Sequence, residues 1–300
     1  MTYDFTMTPE MRAQVAEELR EGTLLPPTIT DEMEADLAAC TVEELAVPTR
    51  FGETRVIKVT PPDRAPNSPL FVNFHGGGFV RPYHRRDTLF CAQAARATGA
   101  LVLDVDYRLA PEYPFPTGLN ECHDVVAWAF DNAAALGVDP ARIAIGGHSA
   151  GGNFATAICM MAQESGAFRP CGQVLDYPFL DGVTPPEAKL DPRSIMPAWR
   201  MDAFNVLYAG VPENLENPLL SPVMAAPESL EGLPPALMLI AGLDPLRFEA
   251  QRYAGQLIAA GVDIEVHQFP DCDHGWVVSA KPGYKQARAL IFDWLNRLFS

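Results

Sequence analysis

The sequence has no Cys-x-x-Cys pair, no cluster of cysteine with histidine, no long apolar run and no excess of basic charge. Each absence removes a class of function. The six cysteines (Cys40, Cys91, Cys122, Cys159, Cys171 and Cys272) are scattered, most of them among apolar residues, as in Ile158-Cys159-Met160. That spacing fits neither a zinc site nor a disulfide framework. It predicts buried free thiols, because a free cysteine packs as a small hydrophobe. No metal is expected. No apolar stretch approaches the ~20 residues of a membrane span, so no membrane insertion is expected. Met1 to Glu21 carries acidic residues throughout and has no apolar core of a secretory signal, which makes the cytoplasm the expected location. With 22 basic against 38 acidic residues and a formal charge of −16, the chain lacks the basic face that nucleic acid requires. The same balance gives anionic lipid nothing to hold. There is no internal repeat and no low-complexity tract.

What is present is the pattern of a large α/β protein. A chain of 300 residues can bury a sizeable core without a metal or a disulfide. Residues 8–21 read as an amphipathic helix, with Thr8 as cap, Pro9 at the first position and Met11, Val15 and Leu19 at helical spacing. Pro26-Pro27 ends that unit, and Asp31 to Leu45 reads as a second short helix. From Thr54 onward short β-rich runs alternate with helical stretches. The runs are Arg55–Val59, Leu70–Phe74, Leu101–Val105, Arg142–Ile145, Gln173–Asp176, Ala236–Ile240 and Ile264–Phe269. Several are almost wholly apolar, as strands buried on both faces of a parallel sheet must be. Helical stripes lie between them, the clearest formed by Ala287, Leu290, Ile291, Trp294, Leu295 and Leu298. Alternation of this kind predicts a mostly parallel sheet with helices on both faces, and such sheets carry their sites at the carboxyl ends of the strands. Residues 181–227 break the alternation: prolines recur from Pro185 to Pro227 around a helix-like piece, Trp199 to Tyr208. An excursion of that length is an insertion rather than a loop.

Two motifs sit at strand ends. Gly147-His148-Ser149-Ala150-Gly151 follows the run Arg142–Ile145 and precedes an apolar helical stretch, Ala155 to Met161. This is the strand–turn–helix setting of a nucleophile elbow, which raises a serine oxygen above the sheet at a helix N-terminus. His75-Gly76-Gly77-Gly78-Phe79 follows Leu70–Phe74. Its glycines let the backbone turn N–H groups toward a bound oxyanion, together with the N–H of Ala150. A phosphate loop or a dinucleotide loop would need other residues, since position 81 is Arg81 and no Lys-Ser or Lys-Thr follows. His75 and Gly76 are read as support for that loop.

A nucleophilic serine needs a base, and the base needs an acid to orient it. Of the six histidines, His123 lies on a helix stripe, His267 inside a strand, His148 beside the serine and His84 in a basic loop before it. His274 follows the last strand run, Ile264–Phe269, and is the expected base. Asp244, just past Ala236–Ile240, is the expected acid, with Asp271 and Asp273 as rivals on the histidine's own loop.

These residues resemble the hormone-sensitive-lipase-like esterases, the branch of the α/β-hydrolases marked by a His-Gly-Gly-Gly loop. The resemblance runs from about Leu70 to the C-terminus. It rests on His75 to Phe79, Asp106-Tyr107-Arg108-Leu109-Ala110-Pro111-Glu112, Gly147 to Gly152, Asn217-Pro218-Leu219-Leu220-Ser221-Pro222, Asp244-Pro245-Leu246 and His274-Gly275. It implies an α/β-hydrolase fold with an eight-stranded, mostly parallel sheet. It also implies a helical cap, built from residues 1–50 and the insertion 181–227, on a catalytic core formed by 51–180 and 228–300. The triad then falls on Ser149, Asp244 and His274, and the oxyanion donors on Gly77, Gly78 and Ala150. The segment at Tyr107-Arg108 would brace the oxyanion loop. One departure stands out: the family usually has Asp or Thr before the serine, and here it is His148.

The expected substrate is a small carboxylic ester with a short to medium acyl chain, no cofactor is implied, and a homodimer is possible for the family. Phe79, Trp199, Phe204 and Trp276 are the candidate apolar walls. Two other readings use the same scaffold. An amidase or peptidase would use the same triad, and a non-catalytic receptor would lack its histidine, which is present here as His274.

Overall fold

The computed structural model describes residues 4–22 and 25–300, so the first three residues of the N-terminal segment lie outside the described ones. Two helices come first, α1 (Pro9–Glu21) and α2 (Asp31–Ala39), each capped by a threonine, Thr8 and Thr30. They lead into an antiparallel pair, β1 (Thr41–Thr49) and β2 (Gly52–Thr60). Then follow β3 (Ser68–Phe74), α3 (Arg85–Thr98), β4 (Leu101–Asp106), α4 (Thr117–Asp131), α5 (Ala133–Leu136), β5 (Val138–His148), α6 (Ala150–Ser165) and β6 (Gln173–Asp176). The insertion holds α7 (Ala198–Ala209) and three short 3-10 turns, and α8 (Pro227–Leu230) leads back to the sheet. The chain closes with β7 (Ala236–Ala241), α9 (Arg247–Ala259), β8 (Ile264–Phe269) and α10 (Tyr284–Phe299).

The eight strands form one sheet in the order β1-β2-β4-β3-β5-β6-β7-β8. Only β1 and β2 run antiparallel to their neighbours. From β4 across to β8 every pairing is parallel. Alternate residues of the central strands feed two cores: Leu70, Val72 and Phe74 of β3 face one, and Phe71 the other. On β7 Met238 and Ile240 share the first side, while Leu237 and Leu239 share the second. Apolar faces of α4 and α6 cover the first core. Those of α3 and α10 cover the second, with Ala287, Ile291, Trp294 and Leu295 inward as the stripe predicts. No helix among the described residues is long and apolar enough to cross a membrane. All six cysteines are free; Cys91, Cys122 and Cys159 are buried and the other three half-buried.

The structure corrects the expected second helix. It ends at Ala39, and Thr41 to Thr49 is a strand, so the N-terminal helices end near residue 40 rather than 50. Glu43, Glu44, Leu45 and Ala46 are good helix formers, but pairing with β2 outweighs that local preference. Glu43 lies directly opposite Lys58 in the register and pairs with it at 2.7 Å.

Strand order places the chemistry. β3 and β5 are neighbours, but the chain leaves β3 for β4 on one side and reaches β5 on the other. Such a reversal opens a crevice at the carboxyl ends of the two strands. The glycine loop follows β3 and Ser149 follows β5, so both motifs meet there.

Candidate active site

Ser149 sits between the last residue of β5 and the first of α6, with φ 56° and ψ −113°. That left-handed backbone costs about 1–3 kcal/mol in a residue other than glycine. The neighbours hold it. The Ser149 N–H donates to the Asp176 carbonyl at 2.9 Å, and its own carbonyl accepts from Asn153 and Phe179 N–H groups, both at 3.1 Å. The turn is tight enough that a Cβ at Gly151 would lie 1.9 Å from the Phe74 carbonyl oxygen, so only glycine fits. Ala150 begins α6, where the first N–H groups have no partner within the helix.

His274 Nε2 lies 2.9 Å from Ser149 Oγ, and His274 Nδ1 lies 2.6 Å from Asp244 Oδ2. The second Asp244 oxygen accepts the Leu246 N–H at 3.0 Å, which fixes the carboxylate on both sides. Asp244 is 1% exposed. The rival Asp273 is engaged elsewhere: it accepts from Ser194 Oγ at 2.9 Å and from Ile195 N–H at 2.6 Å, tying the histidine loop to the insertion. Among the other histidines, His84 caps α3, accepting the Arg86 N–H at 3.1 Å, and His123 packs on Phe168.

Burial of His274 works against its charged form, but the charge and hydrogen bond of Asp244 outweigh this and hold its pKa above the ordinary value. A base must be neutral to take a proton. The acid limb of kcat/KM is therefore expected to be centred above about pH 6.5, with rate rising through it. A pH–rate profile with a small neutral ester checks this; a midpoint well below that value contradicts the pairing.

The glycine loop turns at Gly77 (φ 136°) and Gly78 (φ 60°), both in the left-handed region. The Gly77 carbonyl accepts from Val80 and Arg81 N–H groups at 3.2 and 3.0 Å. His75 is fully buried and stacks on Tyr107, with ring centroids 4.1 Å apart. Burial lowers its pKa, so it is a neutral ring whose Nδ1–H donates to Gly76 O at 2.9 Å. Tyr107 donates its hydroxyl to the His75 carbonyl at 2.7 Å, and the Ala110 N–H bonds the Phe79 carbonyl at 2.9 Å. The Tyr107 segment thus ties down the loop from behind. From α1, Arg20 reaches the Val80 and Ala110 carbonyls at 3.0 and 3.1 Å.

Ser149, His274 and the glycines Gly76, Gly77 and Gly78 line a cleft enclosing about 870 Å³, open solvent at its mouth included. Phe79 and Phe204 form part of its wall. Trp199 and Trp276 do not, contrary to expectation. Trp199 is 46% exposed and Trp276 is buried against Tyr177 and Phe269. Sequence reading also missed Phe179, Met196, Met201 and Leu246, which belong to the apolar wall. Phe179 and Leu246 had a readable signal, since each follows a strand end next to the crevice.

His148 points away from the serine, into the protein. Its Nδ1 lies 2.6 Å from Asp176 Oδ2, both side chains fully buried. Burial pushes the imidazole pKa down and the carboxyl pKa up, so both groups are driven toward uncharged forms. The pair joins β5 to β6 directly behind the elbow, and the Phe90 ring packs nearly perpendicular to the imidazole, ring centroids 4.5 Å apart.

Comparison with known proteins bears on the fold and the family. The family model described as "alpha/beta hydrolase fold" matches residues 71–278. Esterase LipI of Mycobacterium tuberculosis is 38% identical over 220 residues, covering 73% of this chain and 68% of that protein. Carboxylesterase NlhH of the same species is 33% identical over 281 residues, covering 92% of this chain and 86% of its own. The solved esterase of Pyrobaculum calidifontis superposes with a TM-score of 0.83 at 30% identity, covering 99% of this chain and 95% of that one. The chain therefore belongs to the α/β-hydrolase-fold family, in its hormone-sensitive-lipase-like branch.

Proposed function

We propose that the protein is a serine carboxylesterase that hydrolyses short- to medium-chain carboxylic esters through an acyl-enzyme intermediate. Ester hydrolysis as such rests on its esterase relatives. The observation that carries the serine mechanism is the line Ser149–His274–Asp244, hydrogen-bonded at 2.9 and 2.6 Å and opening on an apolar cleft.

In this reading His274 Nε2 takes the proton of Ser149 Oγ as that oxygen attacks the ester carbonyl carbon. Asp244 keeps the proton of His274 on Nδ1 and stabilises the imidazolium. The N–H groups of Gly77, Gly78 and Ala150 bind the carbonyl oxygen as it becomes negative, aided by the start of α6. The imidazolium then gives its proton to the leaving alcohol, and the acyl group stays on Ser149. Water enters, loses a proton to His274, and releases the acid by the same steps. Helices α1 and α2 and residues 181–227 act as the cap. They supply Met196, Met201 and Phe204 to the cleft, and Phe204 limits the space above Gly78, where an added Cβ would lie 2.5 Å from its ring.

Two measurements test the reading. A fluorophosphonate is expected to label the protein at one residue, Ser149, and a series of p-nitrophenyl esters should show kcat/KM falling beyond medium acyl length. A protein that hydrolyses these esters but takes no label would end the serine mechanism. A rate that keeps rising to long chains would end the chain-length reading.

A further inference from the structure

The cleft beside Ser149 is positively charged in a strongly acidic protein. The chain carries a formal charge of −16, yet the described cleft lining contains Arg81, Arg86 and Arg200 and no aspartate or glutamate. The three arrive from separate elements. Arg81 ends the glycine loop, its N–H bonded to the Gly77 carbonyl at 3.0 Å. Arg86 lies in the first turn of α3 and reaches Ser279 Oγ at 3.4 Å, on the loop after His274. Arg200 lies on α7, bonded to the Gly22 carbonyl at 3.0 Å and set over the Phe204 ring. They are close enough to repel one another. Burial first, then the charge of Arg86, lowers the pKa of Arg81. Burial first, then the charge of Arg81, lowers that of Arg200 to about 10.

Guanidiniums gathered at one apolar cleft repel one another, and an anion in that space relieves the repulsion. One carboxylate approaches Arg81 from behind the wall, that of Asp87. It is 1% exposed, accepts the His84 N–H at 3.2 Å, and is not part of the lining. The Arg86 Nε is buried with no hydrogen-bond partner. A neutral ester would leave the Arg86 donor unanswered, whereas a carboxylate matches the planar fork of a guanidinium.

We infer that the preferred substrate is an ester bearing a carboxylate, held by Arg86 and Arg81, with Arg200 adding its charge from the cap. This rests on the esterase reading above and names its substrate class.

The test compares 4-acetoxybenzoate with its methyl ester, in the native protein and in Arg86→Met and Arg81→Met. The ratio of kcat/KM for the carboxylate over the methyl ester is expected to fall about 10- to 100-fold in each variant, the change lying in KM. Because the difference in intrinsic reactivity of the two esters is the same in native protein and variant, the change in that ratio reports recognition alone. An unchanged ratio overturns the inference, including the case where both esters slow equally because the arginines serve the oxyanion or the fold. Should both variants fail to fold, 4-methylbenzoate and its methyl ester are compared as inhibitors of the native protein, and equal or weaker inhibition by the carboxylate overturns it. If neither ester is turned over, the esterase reading has failed instead. Calorimetric titration of the native protein with benzoate and methyl benzoate then decides the anion site, tighter benzoate binding supporting it and the reverse overturning it.

Discussion

Ser149→Ala is expected to lower kcat on a small phenyl ester by at least about 10⁴-fold while leaving the fold intact. The substitution removes one oxygen, the one 2.9 Å from His274 Nε2. Nothing that holds the elbow depends on that oxygen. The bonds to Asp176, Asn153 and Phe179 all run through the Ser149 backbone, and the tight approach to Phe74 is borne by Gly151. Circular dichroism and thermal unfolding should therefore match the native protein, and the remaining rate should reflect binding and the oxyanion groups alone. A well-folded variant with native turnover would remove Ser149 from the mechanism.

Asp244→Asn is expected to cost about 10⁴-fold in kcat with little change in KM. The reason lies in how the carboxylate is held. One oxygen accepts the Leu246 N–H at 3.0 Å and the other meets His274 Nδ1 at 2.6 Å. An asparagine must keep its oxygen toward Leu246, because an amide nitrogen cannot accept from an N–H. Its NH₂ then faces His274 and donates to Nδ1. That forces the histidine proton onto Nε2, where the ring can no longer take the proton of Ser149. The same change removes the charge that holds the pKa of His274 above its ordinary value, so the acid limb of the residual activity should move to lower pH. Turnover within tenfold of native in a folded variant would show that Asp244 does not set the tautomer.

The alternation of apolar runs with helical stretches was enough to locate most of the sheet, because strands buried on both faces are largely apolar. Ala236 to Ile240 is wholly apolar, and Leu101 to Val105 departs from that only at the buried Asp104. Edge strand β1 carries no such signature. It is largely exposed, and its local preference is helical, so only its pairing with β2 identifies it. The aromatic residues of α7 show the same limit. Trp199 and Phe204 both lie on α7, five positions apart and so on different sides of the helix. Only one can face the cleft, and Trp199 is the one that is 46% exposed. Trp276 is close to His274 in sequence but faces Tyr177 and Phe269 in the second core.

By itself the sequence determined which residues are brought together: Ser149, its glycine loop, and Asp244 and His274 in that order. Each is written in a short stretch at the end of an apolar run, and local backbone chemistry reads those stretches the same way wherever they fold. Only the tertiary structure decided what those groups face. His148 is opposed by Asp176 because β5 and β6 are neighbours. Arg81, Arg86 and Arg200 share one cleft because the glycine loop, α3 and α7 pack around it. Contacts of that kind join residues far apart in the chain, and no local pattern of residues encodes them.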